Sequence, residues 1–160
     1  MEESARDGWK RGIVRTDNGE VIARPLMLWA QLPATPLVDR SKTERWWCGW
    51  KRVTLGPMRI DGLAILASAT FHLEVLSVLS LALTQEQVLL IDPAFRQWSE
   101  SKAEVAALEA LVARMTDPAK QRRRWLTQAV NRRTYWWGSI WTGFDARGGF
   151  ASIQIKYVAP

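Results

Sequence analysis

The feature that most constrains the fold is a long apolar stretch over residues 61–83. A helical period places its aliphatic side chains on one face together with His72, opposite a polar stripe that contains Glu74. A period of two over residues 70–75 favours a helix followed by a strand instead. A membrane span is the third alternative, but His72 and Glu74 lie near the centre of the stretch, where unpaired ionisable groups are costly in hydrocarbon. We predict a helix that begins at Asp61, and no membrane span.

Short turn and capping motifs divide the rest of the chain. An Asn-Gly dipeptide at residues 18–19 lies between two apolar segments and predicts an early hairpin, while residues 24–32 resemble a strand that prolines end. Residues 138–144 and 150–158 predict a second hairpin. Capping residues followed by glutamate, glutamine or proline predict helix starts at Ser41, Thr84, Asp92, Ser101 and Asp117. The last of these helices should continue to about Arg133 and carry a basic ridge.

Length and composition indicate one folded unit. The 160 residues contain 48% hydrophobic side chains, enough to bury one core, and the sequence contains neither a linker nor an internal repeat. We therefore predict a single α+β domain over residues 1–160, with helices concentrated between residues 61 and 133 and strands at both ends. Because these strands must pair or leave their edges exposed, a sheet formed from the N- and C-terminal segments is expected.

Positive charge and tryptophan are unevenly distributed. The net charge is +6, and the whole positive excess lies in residues 118–160, where Asp145 is the sole acidic residue. Tryptophan occurs ten times, with clusters at residues 46–50 and 136–141 beside arginine or lysine. Guanidinium groups bind phosphates and flat aromatic side chains stack on unpaired bases, so this combination favours single-stranded nucleic acid. The alternative is structural, because tryptophan usually packs in cores and arginine stems can cover its rim.

Motifs for catalysis or metal binding are absent from the sequence. The single cysteine, Cys48, excludes an internal disulfide and a cysteine-rich zinc site, and the single histidine excludes a histidine-rich metal site. There is no P-loop, dinucleotide-binding glycine motif or nucleophile elbow. We predict that His72 is a core histidine, that Cys48 is a small buried hydrophobe, and that the protein is not an enzyme and uses neither metal nor cofactor. The charged first residues argue against a secretory signal, so a cytoplasmic location is expected.

One ordered set of segments resembles a known family. It begins with residues 24–38 as a strand, continues with Ile-Asp-Gly-Leu-Ala at residues 60–64, and ends with residues 132–135 and a Gly-Gly-Phe strand start at residues 148–150. In this order the segments resemble the RAMP-fold subunit that holds the crRNA 5′ handle in type IV CRISPR effector complexes. The resemblance implies a ferredoxin-like (RAMP/RRM-like) βαββαβ sheet with helices packed on it, non-catalytic RNA binding, and assembly with other protein subunits.

We therefore predict a non-catalytic RNA-binding subunit of a multi-subunit, CRISPR-type nucleoprotein complex in antiviral defence, whose partners are a crRNA-like RNA and other protein subunits. The candidate nucleic-acid-binding residues are basic and aromatic side chains of the C-terminal region: Arg122, Arg123, Arg124, Arg132, Arg133, Tyr135, Trp136, Arg147 and Lys156. The alternative is a protein-interaction module, such as a mobile-element adaptor or inhibitor, that uses tryptophan and arginine as anchors. A membrane-surface protein is a third class, since tryptophan with arginine also suits a lipid interface.

Overall fold

The computed structural model describes residues 5–32, 37–39, 42–96, 101–116, 132–145 and 148–158. These residues form an α+β protein dominated by a seven-stranded antiparallel sheet, which confirms the predicted class. The strands are β1 (Val14–Arg15), β2 (Val21–Ala23), β3 (Glu44–Arg45), β4 (Trp50–Ile60), β5 (Leu63–His72), β6 (Val75–Leu83), β7 (Arg133–Tyr135), β8 (Gly138–Asp145) and β9 (Phe150–Tyr157). The helices are α1 (Ala5–Lys10), α2 (Gln85–Ile91) and α3 (Lys102–Met115). The large sheet has the strand order β3-β4-β5-β6-β9-β8-β7.

The apolar stretch at residues 61–83 is a strand hairpin, so the predicted helix is wrong. β5 pairs antiparallel with β4 on one side and with β6 on the other. Asp61 and Gly62 have φ values of 51° and 78°, which suit an Asp-Gly turn between strands and not the start of an α-helix. Periodicity did not separate the two structures because a buried strand and a buried helix both appear as apolar runs. Among the described residues no helix is long and apolar enough to span a membrane.

Two predicted elements in the N-terminal third also differ from the structure. Residues 24–32 contain turns and a short 3-10 helix at Trp29–Gln31, and the predicted strand is reduced to a single bridge between Leu28 and Val75. The predicted helix at Ser41 is replaced by the edge strand β3, whose two residues pair with β4. Cross-strand pairing here overrides the capping-box spacing, which is a purely local signal.

The helix signals after β6 are confirmed in part. Thr84 and Ser101 cap α2 and α3 through their hydroxyl oxygens, as predicted. Asp92, however, ends α2 instead of beginning a new helix. Arg133 begins β7 and therefore does not belong to the predicted basic helix. The rest of that prediction falls on residues 117–131, which lie outside the described ranges.

Both predicted hairpins are present, but they belong to different sheets. β1 pairs only with β2 in a separate two-stranded sheet, whereas β8 and β9 pair along their whole length in the large sheet. The large sheet is completed by pairing of β6 with β9. The prediction that the N- and C-terminal segments form one sheet is therefore wrong. β9 instead presents Ile153 and Ile155 as buried partners of Leu81 and Leu79.

Strand register assigns the side chains of the large sheet to two chemically different faces. One register of partners from β4 to β8 is apolar and buried: Val53, Ala69, Leu79, Ile155 and Ile140. The neighbouring register is polar apart from one tryptophan: Thr54, Ser68, Ser80, Gln154 and Trp141. α3 packs on the apolar side against β9, β8 and β6, and α1 packs on α3. We call the opposite side, formed by the polar register and the alternate residues of the same strands, the open face.

Buried hydrogen bonds fasten the N-terminal segment to the sheet. The Trp137 indole N–H donates to the Lys10 carbonyl (2.7 Å), and the Tyr157 hydroxyl donates to the Gly12 carbonyl (2.9 Å). Burial raises the pKa of Tyr157, which keeps this hydroxyl a neutral donor. At Gly138 a Cβ would lie 1.9 Å from a β9 carbonyl oxygen, so glycine is needed for β8 to pair with β9 there.

Candidate nucleic-acid interface

One end of the open face carries a row of aromatic side chains. Trp46 and Trp50 lie opposite each other across a tight loop, closed by a hydrogen bond from the Trp46 N–H to the Trp50 carbonyl (2.9 Å). Trp50 is the register partner of His72, and their rings stack with centroids 4.4 Å apart and planes at 24°. His72 is therefore a half-buried stacking partner at the surface and not the predicted core histidine.

The tip of this loop is held in a left-handed conformation. Cys48 and Gly49 have φ values of 65° and 79°. Glycine suits position 49 because side-chain-bearing residues rarely adopt a φ of this sign and size. The turn directs its side chains outward: Trp47 is 87% exposed, and Cys48 is exposed, which corrects its predicted burial.

An open pocket of about 610 Å³ lies at this loop. Its walls are the side chains of Trp46, Trp47, Cys48 and Trp50. The Arg52 guanidinium carbon lies 5.2 Å from the Trp46 ring centroid and places a cation beside the pocket. Glu44 accepts a hydrogen bond from this guanidinium (2.6 Å), and both side chains are about half exposed. The pocket thus combines indole walls with a guanidinium whose carboxylate partner is exposed.

A row of basic and hydroxyl side chains, interrupted by one valine, crosses the open face beside the aromatic row. Its members are successive register partners from β4 to β8: Arg52, Thr70, Val78, Lys156 and Ser139. Adjacent strands are about 4.8 Å apart, so Arg52 and Lys156, on β4 and β9, are separated by about 14 Å. Lys156 is exposed. Two cations are therefore available along one line across the sheet.

The far end of the open face carries a second pair of a cation and a tryptophan. The Arg132 guanidinium carbon lies 5.0 Å from the Trp141 ring centroid, and the same guanidinium donates to the Ser139 hydroxyl (3.0 Å). Trp141 is the register partner of Gln154, whose amide donates to the Ser80 hydroxyl (2.7 Å). Hydroxyl and amide groups therefore occupy the sheet between the two arginine–tryptophan pairs.

Some of the sequence-predicted site residues lie on or beside this surface. Arg132 and Lys156 belong to it, as described above. Trp136 is 82% exposed at the turn between β7 and β8, away from the strand pairs. The predicted residues outside the described ranges are Arg122, Arg123, Arg124 and Arg147. The basic ridge predicted for Arg122, Arg123 and Arg124, and the nucleic-acid contact predicted for Arg147, stay predictions.

The other predicted residues face the helices. Arg133 lies in β7 and donates to the Thr116 carbonyl (3.0 Å) at the end of α3. Tyr135 stacks on the buried Trp137 with ring centroids 5.2 Å apart and planes at 5°. Both side chains therefore help to pack the sheet against its covered side, because residues that alternate with those of the open face point the other way.

Sequence reasoning missed the N-terminal half of this surface. Trp50, Arg52 and Thr54 are not among the sequence-predicted site residues, although tryptophan lies beside arginine in their segment. The signal that identifies them is the period-two alternation through residues 50–55, which places these side chains on one face of a strand and Lys51 and Val53 on the other.

Charge and donor chemistry favour an anionic ligand on the open face. Among the described residues of this face the basic side chains outnumber the acidic ones: Arg52, Arg59, Arg132 and Lys156 against Glu44 and Asp145. Within the described part of the chain, no group of histidine, cysteine, aspartate or glutamate could hold a metal ion. No protein family, curated protein or solved structure matches this chain.

Proposed function

We propose that this protein binds single-stranded RNA across its open face and catalyses no reaction on it. The observation that carries this proposal is the pair of cation–tryptophan contacts at opposite ends of a polar strip, Arg52 with Trp46 and Arg132 with Trp141. Each contact joins a phosphate-binding group to a ring on which a base can stack. The strip between them adds Lys156 and several uncharged hydrogen-bonding groups.

Single-stranded RNA offers partners for each of these groups. Its phosphates bind guanidinium and ammonium groups, and its unpaired bases stack on tryptophan rings or arginine planes. Ser68, Ser80 and Gln154 can exchange hydrogen bonds with ribose hydroxyls and base edges. A sheet face cannot enter the deep, narrow major groove of duplex RNA, so a single strand fits this surface better.

The wider prediction rests on the sequence resemblance alone. Membership of a CRISPR-type complex and a ferredoxin-like core stay predictions. The large sheet is built from β3 to β6, then α2 and α3, then β7 to β9, an order that differs from βαββαβ. Binding of RNA by the open face does not depend on either point.

The proposal is tested by the anisotropy of a fluorescein-labelled RNA of about 12 nucleotides. Replacing Arg52 and Lys156 together by Gln removes two phosphate contacts, so affinity should fall and the plot of log K against log[salt] should flatten by about 1.4. Lys102→Gln is the matched control, because this exposed lysine lies on α3 on the covered side. Unchanged binding by the double variant, or an equal loss in the control, would contradict the proposal.

A second candidate function is a protein-interaction module, favoured by exposed apolar side chains at one end of the sheet. Leu28 is 43% exposed, Leu73 67% and Trp47 87%. The Leu73 N–H donates to the Gly49 carbonyl in the loop at residues 46–50 (3.1 Å), and Leu28 bridges to the strand that follows Leu73. Leu73→Asp tests this function: it should abolish capture of a nuclease-resistant partner at high salt. A partner retained by the variant argues against the module.

A further inference from the structure

The pocket lined by Trp46, Trp47, Cys48 and Trp50 is more aromatic than the rest of the open face. We propose that it binds one nucleotide unit, with the base stacked against the indole walls and the 5′-phosphate on Arg52. The inference rests on the proposed RNA binding and deepens it, because it assigns one base of the strand to a defined site. A free nucleoside monophosphate offers the same chemistry as a base within a strand.

The walls of the pocket select a planar aromatic ligand. Trp46, Trp47 and Trp50 line it together with an exposed thiol, so the available surface is mostly aromatic faces and edges. Nucleobases stack on such rings whatever their identity, because every base has a π face. A volume of about 610 Å³ accommodates a base and its sugar, whereas an apolar peptide side chain would use only part of the aromatic surface.

The charge beside the pocket selects an anion. The Arg52 guanidinium already lies over Trp46, so a cationic ligand such as a quaternary ammonium would meet a like charge at the ring it prefers. A phosphate would instead meet a guanidinium fork that matches its geometry. Glu44 now occupies that fork, but an exposed ion pair of this kind contributes little and is readily exchanged.

The pocket is also largely preformed, which lowers the entropic cost of binding. The hydrogen bond between Trp46 and Trp50 and the stack of Trp50 on His72 fix two walls. A hydrogen bond from the Leu73 N–H to the Gly49 carbonyl (3.1 Å) fixes the loop tip. Trp47 is the exposed wall and can rotate onto a base, as side chains at the surface do on a short timescale.

Isothermal titration of the full chain with AMP, adenosine and ribose 5-phosphate tests the site. AMP should bind, adenosine should bind about tenfold more weakly because it lacks the charge-assisted phosphate contact, and ribose 5-phosphate should not bind measurably.

Four variants test the assigned contacts in the same assay. Arg52→Gln should lower the affinity for AMP to that for adenosine, while Glu44→Gln should raise the affinity for AMP by up to about fivefold. Trp47→Ala should weaken both AMP and adenosine about tenfold without changing the Tm, since the indole is exposed. Leu90→Ala, an exposed apolar side chain on α2, is the matched control.

The controls separate this inference from the proposed function. If AMP fails to bind while the labelled RNA binds with its salt dependence intact, the nucleotide pocket is wrong and RNA binding stands. If AMP binds but does not compete with RNA, the pocket holds a free nucleotide, and its assignment to a base of the strand is overturned. Tetramethylammonium that binds more tightly than AMP, or AMP binding that Trp47→Ala leaves unchanged, would also overturn the inference.

Discussion

The buried carboxyl of Glu104 allows a direct test of how much a buried charge lowers the stability of this fold. Its side chain is 1% exposed on α3, and burial raises the pKa of its carboxyl, partly offset by a hydrogen bond from the Ala151 backbone. Its Oε2 atom accepts no hydrogen bond from the described part of the chain. A buried polar group without a partner costs about 1–3 kcal/mol. An amide would leave one polar atom unpaired as well, but it cannot ionise, so we expect Glu104→Gln to remove the desolvation cost of the charge and to stabilise the protein at neutral pH by about 1.5 kcal/mol.

The pH dependence of this effect follows from the direction of the shift. A carboxyl with a raised pKa in the folded state favours its protonated form, so its stability contribution is fully present below the ordinary value of 4.5 and is lost as pH rises through the folded pKa. The advantage of Glu104→Gln should therefore vanish at low pH and grow to a plateau as pH increases. For a chain of this length the plateau corresponds to a Tm increase of about 3–6 °C.

Thermal unfolding followed by circular dichroism over a pH series measures this difference. Glu86→Gln is the control: Glu86 is an exposed carboxylate in the first turn of α2, and its replacement should change stability by less than about 0.5 kcal/mol at any pH. A Glu104→Gln variant that is destabilised at neutral pH would refute the reasoning. So would a variant whose advantage is the same at acidic and neutral pH.

Two further substitutions test the contacts that hold the helices and turns in place. Ser101→Ala removes the N-cap of α3 and a hydrogen bond to Asp92 (2.7 Å), and chemical denaturation should report a loss of about 1–2 kcal/mol. Asp17→Ala removes the carboxylate that accepts from the backbone N–H groups of Asp61 (2.6 Å) and Gly62 (2.9 Å), and should cost about 1.5–3 kcal/mol. In the Asp17→Ala variant the amides of residues 61 and 62 should exchange hydrogen faster, and unchanged protection would contradict this role.

Element ends that depend on local chemistry were predictable from the sequence. The Ser101 hydroxyl accepts from the Glu104 backbone N–H (3.2 Å), and the Thr84 hydroxyl accepts from that of Gln87 (3.2 Å), at the spacing that the capping motif requires. The same spacing at Ser41 was misleading, because the segment forms the edge strand β3 instead. Capping motifs are therefore reliable only where no strand partner competes for the same backbone groups.

The hairpin at residues 61–83 and the open face could not be derived in the same way. Both depend on which strands become neighbours, and β6 finds its second partner, β9, in a distant part of the chain. Composition nevertheless identified the relevant residue types. Arginine lies beside tryptophan in both clusters, yet only the register shows that Arg52 and Trp50 share a face and that Arg133 points away from it.

The middle of the open face separates the two candidate functions on physical grounds. A hydrophobic partner that covered the middle of the open face would need apolar side chains there, but this register holds Ser68, Ser80 and Gln154. The Gln154 amide donates to the hydroxyls of Ser80 and Ser152 (2.8 Å for Ser152). A purely apolar partner would bury these groups without replacing their contacts with water, at about 1–3 kcal/mol for each one left unpaired. An RNA strand carries donors and acceptors on every nucleotide and can pair with them. The exposed side chains of Leu28 and Leu73 beside the loop do not have this constraint, so a protein partner fits these two leucines, while RNA fits the strip and the tryptophan pocket.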